Sequence, residues 1–258
     1  MKRKLKSITT KLSSWSLIIA LLVIWQLVST LGLVPDFMLP SPVNVVLAFI
    51  GDFGLLMENL WVTLYEALAG LALAVAASFV LAILMDLSGF LKRSVTPILT
   101  FTQTVPTIAL APLLLLWMGY GAAPKIVLVF ITCFFPLTIS LMGSFAQADG
   151  DAIRLLKTMG ASRLQVYRYI KLPSALPAFF SGLRIAATYS VVGAVVGEWL
   201  GGNAGLGVYM IRVRKSYNFD KMFAVILLIS ILSIVLIKLV ELLEYKAMPW
   251  RRKDKKRT

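Results

Sequence analysis

Apolar runs of bilayer-crossing length dominate this 258-residue chain and constrain its fold more tightly than any single motif. A transmembrane helix needs about 20 predominantly apolar residues. Six stretches qualify: 14–34, 61–87, 98–118, 125–142, 176–200 and 222–243. The chain is 59% hydrophobic, against about 45–50% apolar content in soluble domains, and its mean hydropathy is +0.86. The expected fold class is therefore all-α, a polytopic membrane protein with about six transmembrane helices.

Charge orients these spans, because basic residues beside spans concentrate on the cytoplasmic side. Lys2, Arg3, Lys4, Lys6 and Lys11 precede the first run without an acidic residue, which places the N-terminus inside. Loop 34–60 holds Asp36, Asp52 and Glu58 but no lysine or arginine, so it is expected outside. Lys92 and Arg93 mark the next loop as inside, whereas connection 119–124 is uncharged and outside. The tail (Lys246, Arg251, Arg252, Lys253, Lys255, Lys256, Arg257) is inside, so both termini are expected in the cytoplasm. One loop disagrees: Arg212, Arg214, Lys215 and Lys221 fall where the count predicts the outer face. Either that stretch folds back into the protein or one span is misplaced. The expected organisation is one membrane domain, 14–245, with a basic arm at 1–13 and a basic tail at 246–258. The apolar run after the arm is too long for a secretory signal and lacks a small-residue cleavage site, so the first span is expected to be retained.

The net charge of +14 sits mostly at the ends and in loops. That distribution suits contact with anionic lipid headgroups and does not point to nucleic acid. Histidine is absent, which removes the commonest general base and transition-metal ligand. No metal site and no catalytic residue is expected. Cys133 is the single cysteine and lies in an apolar run, where it reads as a small buried residue. Ser140, Ser181 and Ser190 read as helix-packing hydroxyls. No Gly-x-x-x-x-Gly-Lys-Ser/Thr pattern occurs. Energised transport would therefore need a partner to bind and hydrolyse ATP-Mg, and no cofactor is expected on this chain.

A polar interruption at 149–173, DGDAIRLLKTMGASRLQVYRYIKLP, lies between two spans with five basic and two acidic residues. Ala152, Leu155, Leu156 and Met159 recur at i, i+3, i+4, i+7, the period of an amphipathic helix. Gly160 is placed to end that helix in a left-handed conformation. Ser162 with Gln165 reads as a capping box opening a second short helix, which Pro173 is expected to close. Two short helices joined at a glycine on the cytoplasmic side form a docking surface rather than a span.

Ionisable groups inside spans are functional candidates by default. Glu66 and Arg184 are expected near the membrane interface, satisfying loop or partner groups. Glu198 lies in GEWLGGNAGLG (197–207), whose five glycines permit a break in the helix; a structural bend is preferred there over a substrate contact. Gln103, Thr104 and Pro106 in FTQTVPTIALAP predict a kink in the third span, because proline removes a backbone donor. Pore lining and simple repair of the kink both remain open for them.

Gly160 followed by nine residues and Ile170-x-Leu172-Pro173 resembles the cytoplasmic signature loop of permease subunits of binding-protein-dependent ABC importers. PLLLLWMGYG (112–121), LPSALPAFFSGLRIA (172–186) and VVGEWLGGNAGLG (195–207) resemble the taurine, sulfonate, nitrate and thiamine-precursor branch. The resemblance covers roughly residues 15–245. It implies a multi-pass subunit of the bacterial inner membrane working as a pair, expected to be a homodimer. Partner ATPase subunits would drive it, and an extracytoplasmic solute-binding protein would deliver the substrate. It also implies an ATPase-docking loop made of Asp151, Ala152, Leu155, Leu156, Met159, Gly160, Ala161, Ile170, Leu172 and Pro173. The family usually carries Glu-Ala-Ala six residues before the glycine, where this chain has Arg154-Leu155-Leu156, so the usual glutamate is missing and Asp151 is its possible substitute. Span 5 is expected to line the pathway, with Tyr189, Ser190 and Glu198 facing it beside Gln103, Thr104 and Pro106. The stretch 174–202 looks most like permeases for the hydroxymethylpyrimidine precursor of thiamine, then like sulfonate, taurine and nitrate permeases. An ATP-independent secondary transporter is the alternative of another class, disfavoured by the scarcity of acidic residues near mid-membrane and the lack of a visible inverted repeat. A membrane enzyme or scaffold explains none of the matched motifs.

Overall fold

A computed structural model describes residues 2–35 and 38–250, with side chains from Ser16 onward. The charge expectations for arm 1–13, for Asp36 and for residues 251–258 fall outside those side chains. All regular structure among the described residues is helical: α1 (Lys2–Thr30), α2 (Pro42–Gly51), α3 (Phe53–Leu87), α4 (Gly89–Thr104), α5 (Thr107–Met118), α6 (Ala123–Ala146), α7 (Gly150–Thr158), α8 (Arg163–Val166), α9 (Leu172–Gly201), α10 (Leu206–Lys215) and α11 (Phe219–Ala247). A π-helical turn, Tyr167–Lys171, joins α8 to α9.

Four elements are long and apolar enough to cross a membrane: α3, α6, the 39-residue rod Arg163–Gly201 and α11. The pair α4 and α5 supplies a fifth as a broken span. The apolar described part of α1, Ser16–Thr30, is shorter.

Three boundaries differ from the sequence reading. The third span is two helices bent by 98°, because Val105 and Pro106 are both extended and Pro106 has no N–H to continue the ladder. Loop 34–60 is mostly helical: Ser41 caps α2 by accepting the Asn44 N–H at 3.1 Å, and α3 already starts at Phe53. Pro173 does not close a helix. The Leu172 N–H bonds back to the Tyr167 carbonyl in the π turn, and this wider register lets the proline sit in the first turn of α9, where its missing donor is tolerated.

The described residues fall into two compact units. The first comprises the chain up to Asn59 together with Tyr209–Leu228. Here the Trp25 indole N–H donates to the Pro40 carbonyl at 3.0 Å, and its ring lies 6.0 Å from that of Phe223. Tyr209 and Val213, one turn apart on α10, are buried, while Arg212, Arg214 and Lys215 are exposed. The Lys221 ammonium lies 2.8 Å from an Asp52 oxygen, and the Tyr209 hydroxyl donates to the same carboxylate. The stretch whose charge offended the orientation rule is thus helical over 212–215 and ion-paired at Lys221 to the acidic loop. Hydrogen bonds from Lys221 and then Tyr209 hold the Asp52 carboxyl below its ordinary value of 3.8. A depressed folded-state value stabilises above the ordinary one, and that gain is lost as pH falls through the lower folded value. The melting-temperature gap between the wild type and Asp52→Asn is accordingly expected to narrow from pH 5 to pH 3, measured by thermal unfolding in detergent.

The second unit comprises Leu60–Val208 and the described residues from Ile229 on. Its core is α6 against α9: Val129, Cys133, Leu137 and Leu141 recur along one face of α6 and are fully buried, as are Ala186, Ala187, Val191 and Ala194 on α9. Small residues allow the close approach on which helix packing in lipid depends, where apolar transfer gives little net drive. The Cys133 thiol donates to the Ala186 carbonyl at 3.2 Å, which fits its expected structural role.

Candidate functional site

The polar interruption is built largely as its sequence predicts. Asp149 opens α7 by accepting the N–H groups of Asp151 (2.9 Å) and Ala152 (3.2 Å). At the other end Gly160 takes φ +81°. The Ala161 N–H bonds to the Leu156 carbonyl and the Gly160 N–H to the Lys157 carbonyl, both at 3.0 Å. This paired closure needs a left-handed residue, the conformation glycine adopts without strain. The capping box forms reciprocally: the Ser162 N–H donates to Gln165 Oε1 at 2.6 Å, and the Gln165 N–H donates to Ser162 Oγ at 3.3 Å.

The apolar stripe of α7 faces outward. Leu155 is 63% exposed and Met159 75%, with Leu164 on α8 at 78%. Asp151 and Gly160 are exposed, whereas Ala152, Leu156, Ala161, Ile170, Leu172 and Pro173 are partly covered. Asp151 lies 3.6 Å from Arg154 on the same helix, so the carboxylate nearest the missing glutamate already has a cation beside it. At the root of the hairpin, the Lys171 ammonium and the Tyr167 hydroxyl both donate to one oxygen of Asp86, tying the π turn to the end of α3.

The six pathway candidates differ in their surroundings. Gln103, Thr104 and Pro106 are exposed at the break between α4 and α5. There the Thr104 hydroxyl donates to the Phe101 carbonyl and that of Thr102 to the Leu99 carbonyl, each at 2.8 Å, repairing the helix end. Tyr189 is exposed, while Ser190 is buried and donates to the Ala187 carbonyl at 2.8 Å.

Glu198 is buried and organises the glycine-rich turn. One of its oxygens accepts the Thr63 hydroxyl at 2.7 Å and the other accepts the Gly207 N–H at 2.6 Å. Thr63 in turn accepts the Leu206 N–H at 2.9 Å. Two free N–H groups at the start of α10 are thereby satisfied by side chains, and the carboxylate sits at the positive end of that helix. Gly205, with φ +119°, lies so close that an added Cβ meets the Glu198 carboxyl. Gly205→Ala is expected to lose at least about 2 kcal/mol through strain and overpacking. Thermal unfolding checks this against Gly51→Ala, where nothing lies within 4 Å of the added carbon.

Sequence reading missed the second buried carboxylate. Glu66 is enclosed by protein: it is 1% exposed and its oxygen lies 2.8 Å from the Lys125 ammonium. The signal was available, since two opposite charges at the edge of and within apolar runs do best by pairing. Arg184 finds Glu244 at 3.5 Å.

Comparison with known proteins decides the family. Residues 70–248 match the family described as binding-protein-dependent transport system inner membrane component. The chain belongs to that family. It is a multi-pass membrane permease, the membrane subunit of an ABC importer. A probable ABC transporter permease protein of Haemophilus influenzae is 40% identical over 209 residues, 81% of this chain and 85% of that one. The formylaminopyrimidine transport permease protein ThiX of Halalkalibacterium halodurans is 36% identical over 234 residues, covering 90% and 93% of the two chains. A putative aliphatic sulfonates transport permease, SsuC of Bacillus subtilis, is 30% identical over 90% of this chain and 84% of its own. The fold matches that of the inward-facing MetNI methionine ABC transporter at a TM-score of 0.68, with 20% identity over 76% of this chain and 97% of that one.

Proposed function

We propose that this permease carries a pyrimidine precursor of thiamine across the membrane as a homodimer driven by two partner ATPases. The observation that carries the coupling is the outward apolar face of α7, Leu155 and Met159, on a hairpin tied to α3 at its root through Tyr167, Lys171 and Asp86. A soluble-facing apolar stripe of this kind marks a protein–protein contact, and an ATPase groove suits it. Asp151, Ala152, Leu155, Leu156, Met159, Gly160 and Ala161 form the docked surface. Ile170, Leu172 and Pro173 join it to the rod that crosses the membrane. ATP-Mg is bound by the partner and no cofactor by this chain. An extracytoplasmic binding protein presents the solute, and Gln103, Thr104, Pro106, Tyr189, Ser190 and Glu198 are the residues to probe along its route.

The pyrimidine assignment is supported by 36% identity to a formylaminopyrimidine permease over nine-tenths of this chain. A sulfonate is the second reading, supported by the SsuC relative at 30%. The experiment is reconstitution of this chain with the ATPase and binding protein encoded beside it, with ATP hydrolysis measured while the binding protein is loaded with each solute in turn. Stimulation by a pyrimidine alone upholds the proposal, and stimulation by a sulfonate alone replaces the substrate. Uptake driven by an ion gradient without ATP overturns the importer reading.

A further inference from the structure

A groove of about 320 Å³ opens beneath the α7–α8 hairpin, against the end of α3, and shares only Ala161 with the proposed docked surface. Lys157, Arg163 and Lys171 are among the residues that line it, with Asp86 as the one carboxylate. Asp86 is already committed to Lys171 at 2.5 Å and to the Tyr167 hydroxyl, so that pair is close to neutral. Lys157 and Arg163 have no carboxylate partner among the described residues. The groove thus presents two uncompensated positive charges in a space at the lower end of the range for small-ligand sites.

Two further observations identify what such a groove takes. It sits where α3, a membrane-crossing helix, ends at Leu87, and Leu87 lines it. From there Leu87, Leu84 and Val80, 50%, 47% and 60% exposed, form one apolar stripe running back along the span. Spacing of i, i+4, i+7 puts them on a single helix face. A ligand with a negatively charged head and two alkyl chains satisfies both the cations and this stripe, which a free anion does not.

We propose that this groove is a binding site for the phosphate headgroup of an anionic phospholipid, held by Lys157 and Arg163 with its chains along Val80, Leu84 and Leu87. The site does not rest on the ATPase-docking reading, with which it shares only Ala161. Ile153 and Lys157 line the groove, whereas Ala152, Leu155, Leu156 and Met159 point roughly 130° away around α7 at 3.6 residues per turn.

The test is native mass spectrometry of the purified full chain with equimolar dioctanoyl phosphatidylglycerol and phosphatidylcholine. Each basic residue near an anionic headgroup contributes enough that two predict a roughly thirtyfold preference for phosphatidylglycerol. Lys157→Gln with Arg163→Gln is expected to reduce that preference to near parity. Lys92→Gln with Arg93→Gln, which removes two exposed cations outside the groove, retains it. Lys157→Arg with Arg163→Lys also retains it, which separates charge loss from misfolding. Displacement of phosphatidylglycerol by an equal concentration of inorganic phosphate overturns the lipid assignment in favour of a free-anion site. Equal binding of the two lipids, or an undiminished preference in the glutamine variant, overturns the site itself.

Discussion

Lys125→Ala is expected to lose about 3–5 kcal/mol of stability, because it leaves the Glu66 carboxylate buried without its cation. Both side chains are almost wholly enclosed, at 6% and 1% exposure, and the pair is short at 2.8 Å. The penalty comes from the stranded partner more than from the lost attraction. Replacing both members, Lys125→Met with Glu66→Leu, is therefore expected to recover most of the loss, since apolar pairs of similar volume often replace buried ion pairs without net cost. Thermal unfolding in detergent of the wild type, Lys125→Ala and the double variant checks it. A double variant no more stable than Lys125→Ala would show that the pair does more than neutralise itself.

Gly160→Asp is expected to reduce solute uptake by more than about tenfold while the chain still reaches the membrane in normal amount. The residue holds φ +81° with open space around it, so the obstacle is conformational and not steric. A side chain there costs about 1–2 kcal/mol in the left-handed region. Aspartate adds a negative charge at the negative end of α7. Loss of the paired closure at Ala161 and Gly160 frees the last turn that carries Met159, and the docked face loses its shape. Gly160→Asn is the graded control, because asparagine enters this region more readily, and it is expected to retain intermediate uptake. Uptake assays beside immunoblots of the membrane fraction separate coupling from insertion. Unchanged uptake in well-inserted Gly160→Asp would remove the docking proposal.

What the sequence made legible was local. The Ser162–Gln165 box and the Gly160 closure depend on residues within six positions of each other, and both are present as read. Four of the expected spans are found within single long helices for the same reason. The misses turned on backbone register or on contacts that only the fold supplies. Proline at 173 reads as a stop until the π turn ahead of it supplies a register in which it fits. Glu66 shows no partner until α6 brings Lys125 to it across 59 positions of sequence. Thr63 gives no hint of its tie to Glu198 and Leu206, because both lie more than 130 residues away.

The continuity of the rod from Arg163 to Gly201 has a mechanical consequence. At 1.5 Å per residue its 39 residues reach about 58 Å, roughly twice the thickness of the hydrocarbon core. Uninterrupted by a loop, such a beam stores little of a push applied at one end. A tilt of about ten degrees at its root swings the far tip sideways by about 10 Å over that length. The tip is where Glu198 holds the start of α10, so the swing from a tilt of that size, were it made at the root, would exceed the length of the hydrogen bonds that hold it.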